Sequence, residues 1–365
     1  MKQRTFASVA WEKKGKVTRR ERFLAEMDAV IPWSRLLALI EPHYPKAGNG
    51  TQPKPMEQML RIYFMQNWFN LSDPQAEDSL YDIESMRRFA GIELLDDSIP
   101  DESTILRFRH LLERHELTER IFAEIRTLLE EKRLLLKSGT IVDATIIAAP
   151  PSTKNEAQAR DPEMHQTLKN RQWHFGMKAH VGCDKRGIVH SLVTTHAAHA
   201  DISQMHKLLH GDETEVFGDQ AYWSEAHRQA ALARGIRYRV NRRGTESRPL
   251  TDYQRYINQV RSKARARGEH AFGVIKHLWG FTKVRYRGLA KNTARLFTAF
   301  ALANLYLLRR RLHRDVSVLN GKTTRSIENP GLEPLQNLRF SISGMNCFPI
   351  FINSGLCAAA CAELP

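Results

Sequence analysis

One run limits what this chain can fold into more than any other: residues 138–155, SGTIVDATIIAAPPSTKN. Thr140, Ile141 and Val142 lead into Asp143, and Ala144, Thr145, Ile146 and Ile147 follow it. A short apolar run rich in β-branched residues reads as a strand buried on both faces. A carboxylate in the middle of such a strand is costly unless something offsets its charge. Asp143 therefore either has a buried partner, or its strand opens onto a site that needs negative charge.

The same run marks a change of period. Up to Leu136 apolar residues recur three and four apart, as in RRERFLAEMDAVI, PWSRLLALIE and MEQMLRIYFMQNWF, so this half is helical. Ser72 or Asp73 caps a helix that takes Pro74 in its first turn, and Asp101 is a good N-cap for ESTILRFRHLLER. In that last helix Ile105, Phe108 and Leu112 form the inward stripe, and Ser103, Thr104 and Arg107 look outward. A short helix, a turn and a capped helix with polar and basic first turns is the layout of a helix-turn-helix reader of DNA. A plain helical bundle with a basic surface fits that segment equally well.

After Lys137 the period becomes two. In WHFGMKAHVG, Trp173, Phe175, Met177, Ala179 and Val181 face one way, and His174, Lys178 and His180 the other. Trp173 is expected in the core. CDKRG turns this strand into IVHSLVTTH, an antiparallel hairpin. DISQMHKLLHG reads as a helix with Asp201 as its cap, TEVFGDQAY as a strand, SEAHRQAALARG as a helix, IRYRVN as a strand, and Tyr253 to Lys276 as one long basic helix. The fold class is α/β, a mixed sheet with flanking helices behind an all-α N-terminal part.

Charge narrows the partners. Lys and Arg number 55 against 40 acids, a formal charge of +15 and a pI near 9.8. That surplus implies a polyanion, with nucleic acid first. The start has no apolar signal segment, and LFTAFALANLYLL falls short of the ~18 residues of a membrane span, so it reads as a core helix. Cys183, Cys347, Cys357 and Cys361 lack paired zinc spacing, and the histidines form no zinc motif. The expected compartment is the cytoplasm, on the nucleoid, with thiols reduced.

Asp219, at the end of its strand, is a second acid out of place. If its strand pairs with that of Asp143, both carboxylates reach one point. Two such acids repel, and a divalent cation between them relieves the repulsion; ligation by oxygen alone fits Mg²⁺ or Mn²⁺. Two ions serving displacement at phosphorus need a third carboxylate. Glu269 is the candidate, on a helix face shared with Arg265, Phe272 and Lys276. Taken singly, each acid has an ordinary reading: a buried pair for Asp143, a turn for Asp219, an ion pair with Arg265 for Glu269.

Several long stretches carry a resemblance: FLAEMDAVIPW, IEPHYPKAGNG, MLRIYFMQNWFNLSD, SIPDESTILRFRHLLE, GTIVDATIIAAPPSTKN, RDPEMHQTLKNRQWHFGMKAHVGCD, HSLVTT, RARGEHAFGVIK and VRYRGLAKN. In these, from Phe6 to about Leu312, the chain resembles bacterial DDE transposases of the insertion sequence 5 family, within the insertion sequence 4 superfamily. The resemblance implies an RNase H-like catalytic domain and a metal-dependent triad on Asp143, Asp219 and Glu269. The superfamily's Tyr-Arg-Glu-Lys signature falls on Arg265, Glu269 and Lys276, with Ser262 at the Tyr position, a departure that touches the aromatic contact and not the triad.

The expected organisation is a helical end-recognition domain over residues 1–136, a DDE catalytic domain over 137–314, and a divergent tail over 315–365. The metal ligands are Asp143, Asp219 and Glu269, with two Mg²⁺ or Mn²⁺ ions. The DNA contacts are Arg265, Lys276, Lys178, Ser103, Thr104 and Arg107. The partners are terminal inverted repeats and target DNA, held by a homodimer or larger synaptic complex, with no membrane. The rival readings are an RNase H-like nuclease without strand transfer and a repurposed DNA-binding protein.

Overall fold

The computed structural model describes residues 11, 13–50, 52–94, 97–154, 156 and 158–319, so most of the expected tail lies outside the described residues. The helical half runs α1 (Arg19–Val30), α2 (Trp33–Ile40), α3 (Met56–Trp68), α4 (Asp73–Asp82), α5 (Glu84–Ala90), α6 (Glu102–Arg114) and α7 (Leu117–Glu131). Its caps are the expected ones. The Ser72 hydroxyl accepts the Gln75 N–H while Gln75 reaches back to the Ser72 N–H, with Pro74 in the first turn. The Asp101 carboxylate accepts the Thr104 N–H at 2.8 Å. Helix α3 is buried all round from Gln58 to Trp68, with the exception of Arg61, and so forms the centre of this half.

The strands are β1 (Thr140–Ala148), β2 (His165–Lys169), β3 (Gln172–Cys183), β4 (Val189–His196), β5 (Glu215–Gly218) and β6 (Arg237–Val240). They make one mixed sheet in the order β2-β3-β1-β5-β6, with β4 also on β3. Strands β1, β3 and β4 are antiparallel, whereas β5 runs parallel to β1 and β6 parallel to β5. The remaining helices are α8 (Glu225–Ala233), α9 (Asp252–Arg265), α10 (Glu269–Gly273) and α11 (Leu289–Leu319).

Helix α11 contains LFTAFALANLYLL, and Leu296, Phe300, Leu302 and Leu305 are fully buried in it. It belongs to both halves. Phe297 meets Phe122 of α7 at 5.7 Å between ring centres, and the Thr298 hydroxyl lies 3.2 Å from the Tyr63 hydroxyl of α3. On its other side the Asn304 amide holds the β4 backbone, donating to the Val189 carbonyl at 2.7 Å and accepting its N–H at 2.9 Å. One apolar core therefore runs from Leu24 to Leu312, and the change of period near residue 136 is not a break in it. The described residues belong to one compact unit, Met1–Asn320.

Four local features differ from the sequence reading. Strand β2 has no apolar alternation of its own and exists through its pairing with β3. Trp173, expected in the core, is 70% exposed, because β3 begins beyond the body of the sheet. Asp201–Leu208 coils as a 3-10 helix rather than an α-helix, with no side-chain cap. The long basic helix is interrupted by a 3-10 turn at Ala266–Gly268 and a π turn at Val274–Leu278. The first interruption coincides with close packing: a Cβ on Gly268 would lie 3.0 Å from Ile141 Cγ2 and 3.2 Å from Cys183 Sγ. Only glycine lets the helix come this near β1 without displacing a neighbour.

A shared core has a measurable consequence. Leu305→Ala should cost about 2–5 kcal/mol. Hydrogen exchange should show amides of α3 and of β3 losing protection by the same free energy. Loss confined to one half would mean that the halves unfold independently.

Candidate active site

The site begins with strand register. Thr140 pairs with Val216 and Ile141 with Phe217, and the same offset carries Asp143 onto Asp219. Strand β5 ends at Gly218, so Asp219 is the first residue beyond the ladder. There its Oδ1 accepts the Ala221 N–H at 2.8 Å and caps the turn Gln220–Tyr222. The expected strand pairing is present, and so is the ordinary turn role: Asp219 uses one oxygen for the turn and turns the other to Arg265.

On β1, Asp143 pairs with Val181 and therefore shares a sheet face with Val181, Ala179 and Met177. Helices α9 and α10 approach that face at Gly268, and Glu269 opens α10 beside it. Arg265 closes the arrangement. Its guanidinium lies 3.5 Å from Asp219 Oδ2 and 3.8 Å from Glu269 Oε1. Its Nε is buried with no hydrogen-bond partner.

Asp143 feels all three neighbours. Burial is the largest effect and pushes its pKa up to about 6; Arg265 and the Ala144 N–H at 2.9 Å oppose the rise, and the charges of Asp219 and Glu269 add to it. Three acids thus share one electrostatic neighbourhood with one resident cation. Their oxygen-only donor set fits a hard divalent cation. Among the described residues no three His, Cys, Asp or Glu side chains are drawn close enough to hold a metal by themselves. What neutralises Asp219 and Glu269 in this arrangement is Arg265.

The other singled-out residues fall in different places. Lys276 is on the π turn, and its ammonium donates to the Ile146 carbonyl at 2.6 Å. Burial, then the charge of Lys169, lowers its pKa. Lys276, a DNA-phosphate contact in the sequence reading, here ties the helical segment to β1. Lys178 pairs with Ile146, so it lies on the sheet face opposite Asp143, where it meets Asp201 at 2.9 Å and the His199 carbonyl at 2.7 Å. The structure does not bring Lys178 to the three acids. His180, placed beside it by the alternation, is fully buried and bonds Thr195 Oγ1 at 2.9 Å.

Ser103, Thr104 and Arg107 sit together in the first turns of α6. Ser103 Oγ donates to Asp101 Oδ2 at 2.9 Å and accepts from Arg107 Nη2 at 2.9 Å, which leaves Arg107 the exposed member. The sequence reading missed Tyr222 as a neighbour of the acids. Its side chain is fully buried, its hydroxyl has no partner, and burial with the charges of Asp201, Asp143 and Asp219 raises its pKa. The signal was the spacing DQAY, three residues from Asp219.

Comparison with known proteins adds two family matches. Residues 12–111 match a family described as a transposase domain (DUF772), and residues 135–305 match the transposase DDE domain. Two solved structures are similar at low identity. One is the cryo-EM structure of a piggyBac transposase synaptic complex with hairpin DNA, 9% identical over 82% of this chain and 74% of that one, with a TM-score of 0.44. The other is the crystal structure of the Mos1 strand transfer complex, 14% identical over 77% and 83%, with a TM-score of 0.24.

The raised pKa of Asp143 fixes a sign for stability. The folded state holds this proton more tightly than the unfolded chain, whose Asp titrates near 4. Stability from this group is therefore full below about pH 4 and falls as pH rises through about 6. In chelator-containing buffer Asp143→Asn should remove that fall and stabilise the protein at pH 7 by about 1–3 kcal/mol. Denaturant unfolding across pH 4–7 reads it out, and a variant less stable than wild type at pH 7 would contradict the burial argument.

Proposed function

We propose that this chain, a metal-dependent DDE transposase by the two transposase domains it matches, performs its cutting and joining of DNA on Asp143, Asp219 and Glu269. The observation that carries the assignment is the register of β1 and β5, which sets Asp143 beside Asp219 on the face that Glu269 reaches from α10. The mixed sheet with helices on its faces supports an RNase H-like core, and the long stretches resembling the insertion sequence 5 family support that narrower membership.

The three carboxylates would hold Mg²⁺ or Mn²⁺, which when bound supplies Lewis-acid charge for in-line displacement at phosphorus. The chain's own residues do the rest. Asp143 is fixed by a strand paired on both sides, so its position does not drift. Asp219 is held by its turn, and Glu269 by α10, whose Phe272 packs against Phe300 of α11 at 5.9 Å. Arg265 neutralises two of the acids and is placed to meet a phosphate that approaches them. Cleavage at an element end and attack of the freed 3′-OH on target DNA are both displacements at phosphorus, so one site serves both with a change of nucleophile.

Residues 12–111 carry the other transposase domain, and we assign end recognition to the helical half, with Arg107 as its exposed base-reading candidate. A homodimer or larger assembly would pair two ends. Among the described residues no helix is long and apolar enough to cross a membrane.

The test is a strand-transfer assay with a duplex carrying the terminal inverted repeat, target DNA and Mg²⁺. Asp143→Asn, Asp219→Asn and Glu269→Gln should each lower cleavage and joining by about a thousandfold or more, a loss of about 4 kcal/mol of transition-state stabilisation. Duplex binding should change little. Near-wild-type cleavage by any one variant removes that residue from the triad, and cleavage without joining by wild type favours a nuclease.

A further inference from the structure

The chain's formal charge of +15 is partly hidden: Arg265, Lys276 and Lys178 are all engaged within the protein. A different element offers free positive charge. Strands β2 and β3 form a ribbon joined by Asn170 and Arg171, both with left-handed φ (51° and 61°), a two-residue turn that keeps the strands tightly paired. Leu168 and Trp173 face each other across the ribbon and are 57% and 70% exposed. Such an apolar pair in water is unfavourable unless a partner covers it.

The ribbon's position is specific. Trp173 belongs to the face of β3 that carries Phe175, Met177, Ala179 and Val181, and Val181 is the partner of Asp143. The apolar stripe that is core at Met177 therefore runs outward, on the face of the acids, until it stands clear at Trp173. Gly176 marks the departure from the body, where a Cβ would collide with the Ile147 carbonyl. Lys169 at the tip is near enough to Lys276 for its charge to act there.

Charge decides the partner. Lys169 and Arg171 are exposed and pair with no acid among the described residues. The nearby acids are engaged elsewhere: Asp161 accepts the Gly288 N–H and Glu163 the Leu289 N–H, each at 2.6 Å, at the start of α11. An apolar pair with a free cation at the turn beside it, a second on the other face of the ribbon, and uncharged Gln166, Asn170 and Gln172 around it suits DNA, with bases meeting the aromatic and phosphates the cations.

The geometry points to the β2–β3 ribbon as a DNA-gripping arm, in which Trp173 and Leu168 press against bases of the bound duplex while Lys169 and Arg171 hold the flanking phosphates. This rests on the active-site reading for its orientation. Trp173 lies eight residues (181 − 173) along β3 from the position opposite Asp143. At about 3.3 Å per residue the contact falls about 26 Å along the strand from the position opposite Asp143. At about 3.4 Å per step, that is about eight base pairs.

The test uses the full chain and a 5′-labelled duplex of roughly forty base pairs ending in the terminal inverted repeat, with 2-aminopurine scanned across it. Trp173→Ala with Leu168→Ala should weaken binding about tenfold or more, and Trp173→Phe should keep most of the affinity. Lys169→Ala with Arg171→Ala should flatten the salt dependence by about two units of slope. Wild type should brighten 2-aminopurine within about eight base pairs of the cut, and the Trp173/Leu168 double variant should not. Because all four side chains are exposed, thermal unfolding should be unchanged. If the double variant matches wild type in affinity and 2-aminopurine signal while wild type still cleaves, the arm is wrong and the active-site reading stands. If wild type shows the ribbon-dependent signal but never cleaves, the arm stands and the active-site reading falls. If the double variant loses self-association with unchanged duplex affinity, the surface is an interface between copies and the arm is overturned.

Discussion

Burial of a carboxylate, Asp143, inside an apolar strand is the constraint on which the arrangement around it depends. Each acid is held by a different element: Asp143 lies within a paired strand, Asp219 caps a turn, and Glu269 opens a helix packed on the core. Burial of Asp143 is the main reason its pKa is raised to about 6, and the charges of Asp219 and Glu269 add a smaller push in the same direction. Arg265 lies between the other two at 3.5 and 3.8 Å and leaves its own buried Nε unbonded. Such an arrangement is electrostatically unfinished. It is ready for positive charge, and a phosphate can compete for the arginine.

Rigidity around that site comes from a core that ignores the change in secondary structure. Helix α11 packs on α7 and α3 of the N-terminal half and, through Asn304, on β4 of the sheet. It also backs the short helix that starts with Glu269, through Phe300 against Phe272. Arginines reinforce the seam: buried Arg295 of α11 bonds the Asn70 side chain and half-buried Arg285 the Asn70 carbonyl, so the turn after α3 is tied to α11 and to the segment before it. The helical half and the short helix that carries Glu269 therefore share one packed core.

Charge in this protein divides by depth. Arg265 and Lys276 are engaged with carboxylates and a carbonyl, whereas Arg107 on α6 and Lys169 and Arg171 on the β2–β3 ribbon are among the exposed cations. Engaged cations set local pKa values and geometry.

The sequence by itself displayed most local elements and singled out the acids as candidates. Helical and strand periods, the caps at Ser72 and Asp101, and the stripe of Ile105, Phe108 and Leu112 are properties of neighbouring residues, so a single chain displays them. Asp143 was legible because a charge inside an apolar strand violates its surroundings, and Asp219 because it ends another such strand. Tertiary structure alone decided which side chains meet. Strand register placed Asp219 beside Asp143 and sent Lys178 to the opposite face, although both lie in strands with clear alternation. Close packing at Gly268 interrupted a helix that the sequence wrote as continuous, and the π turn beyond it turned Lys276 to the Ile146 carbonyl. Trp173 obeys its alternation and is still exposed, because alternation assigns a face while only the extent of the neighbouring elements decides whether that face is covered.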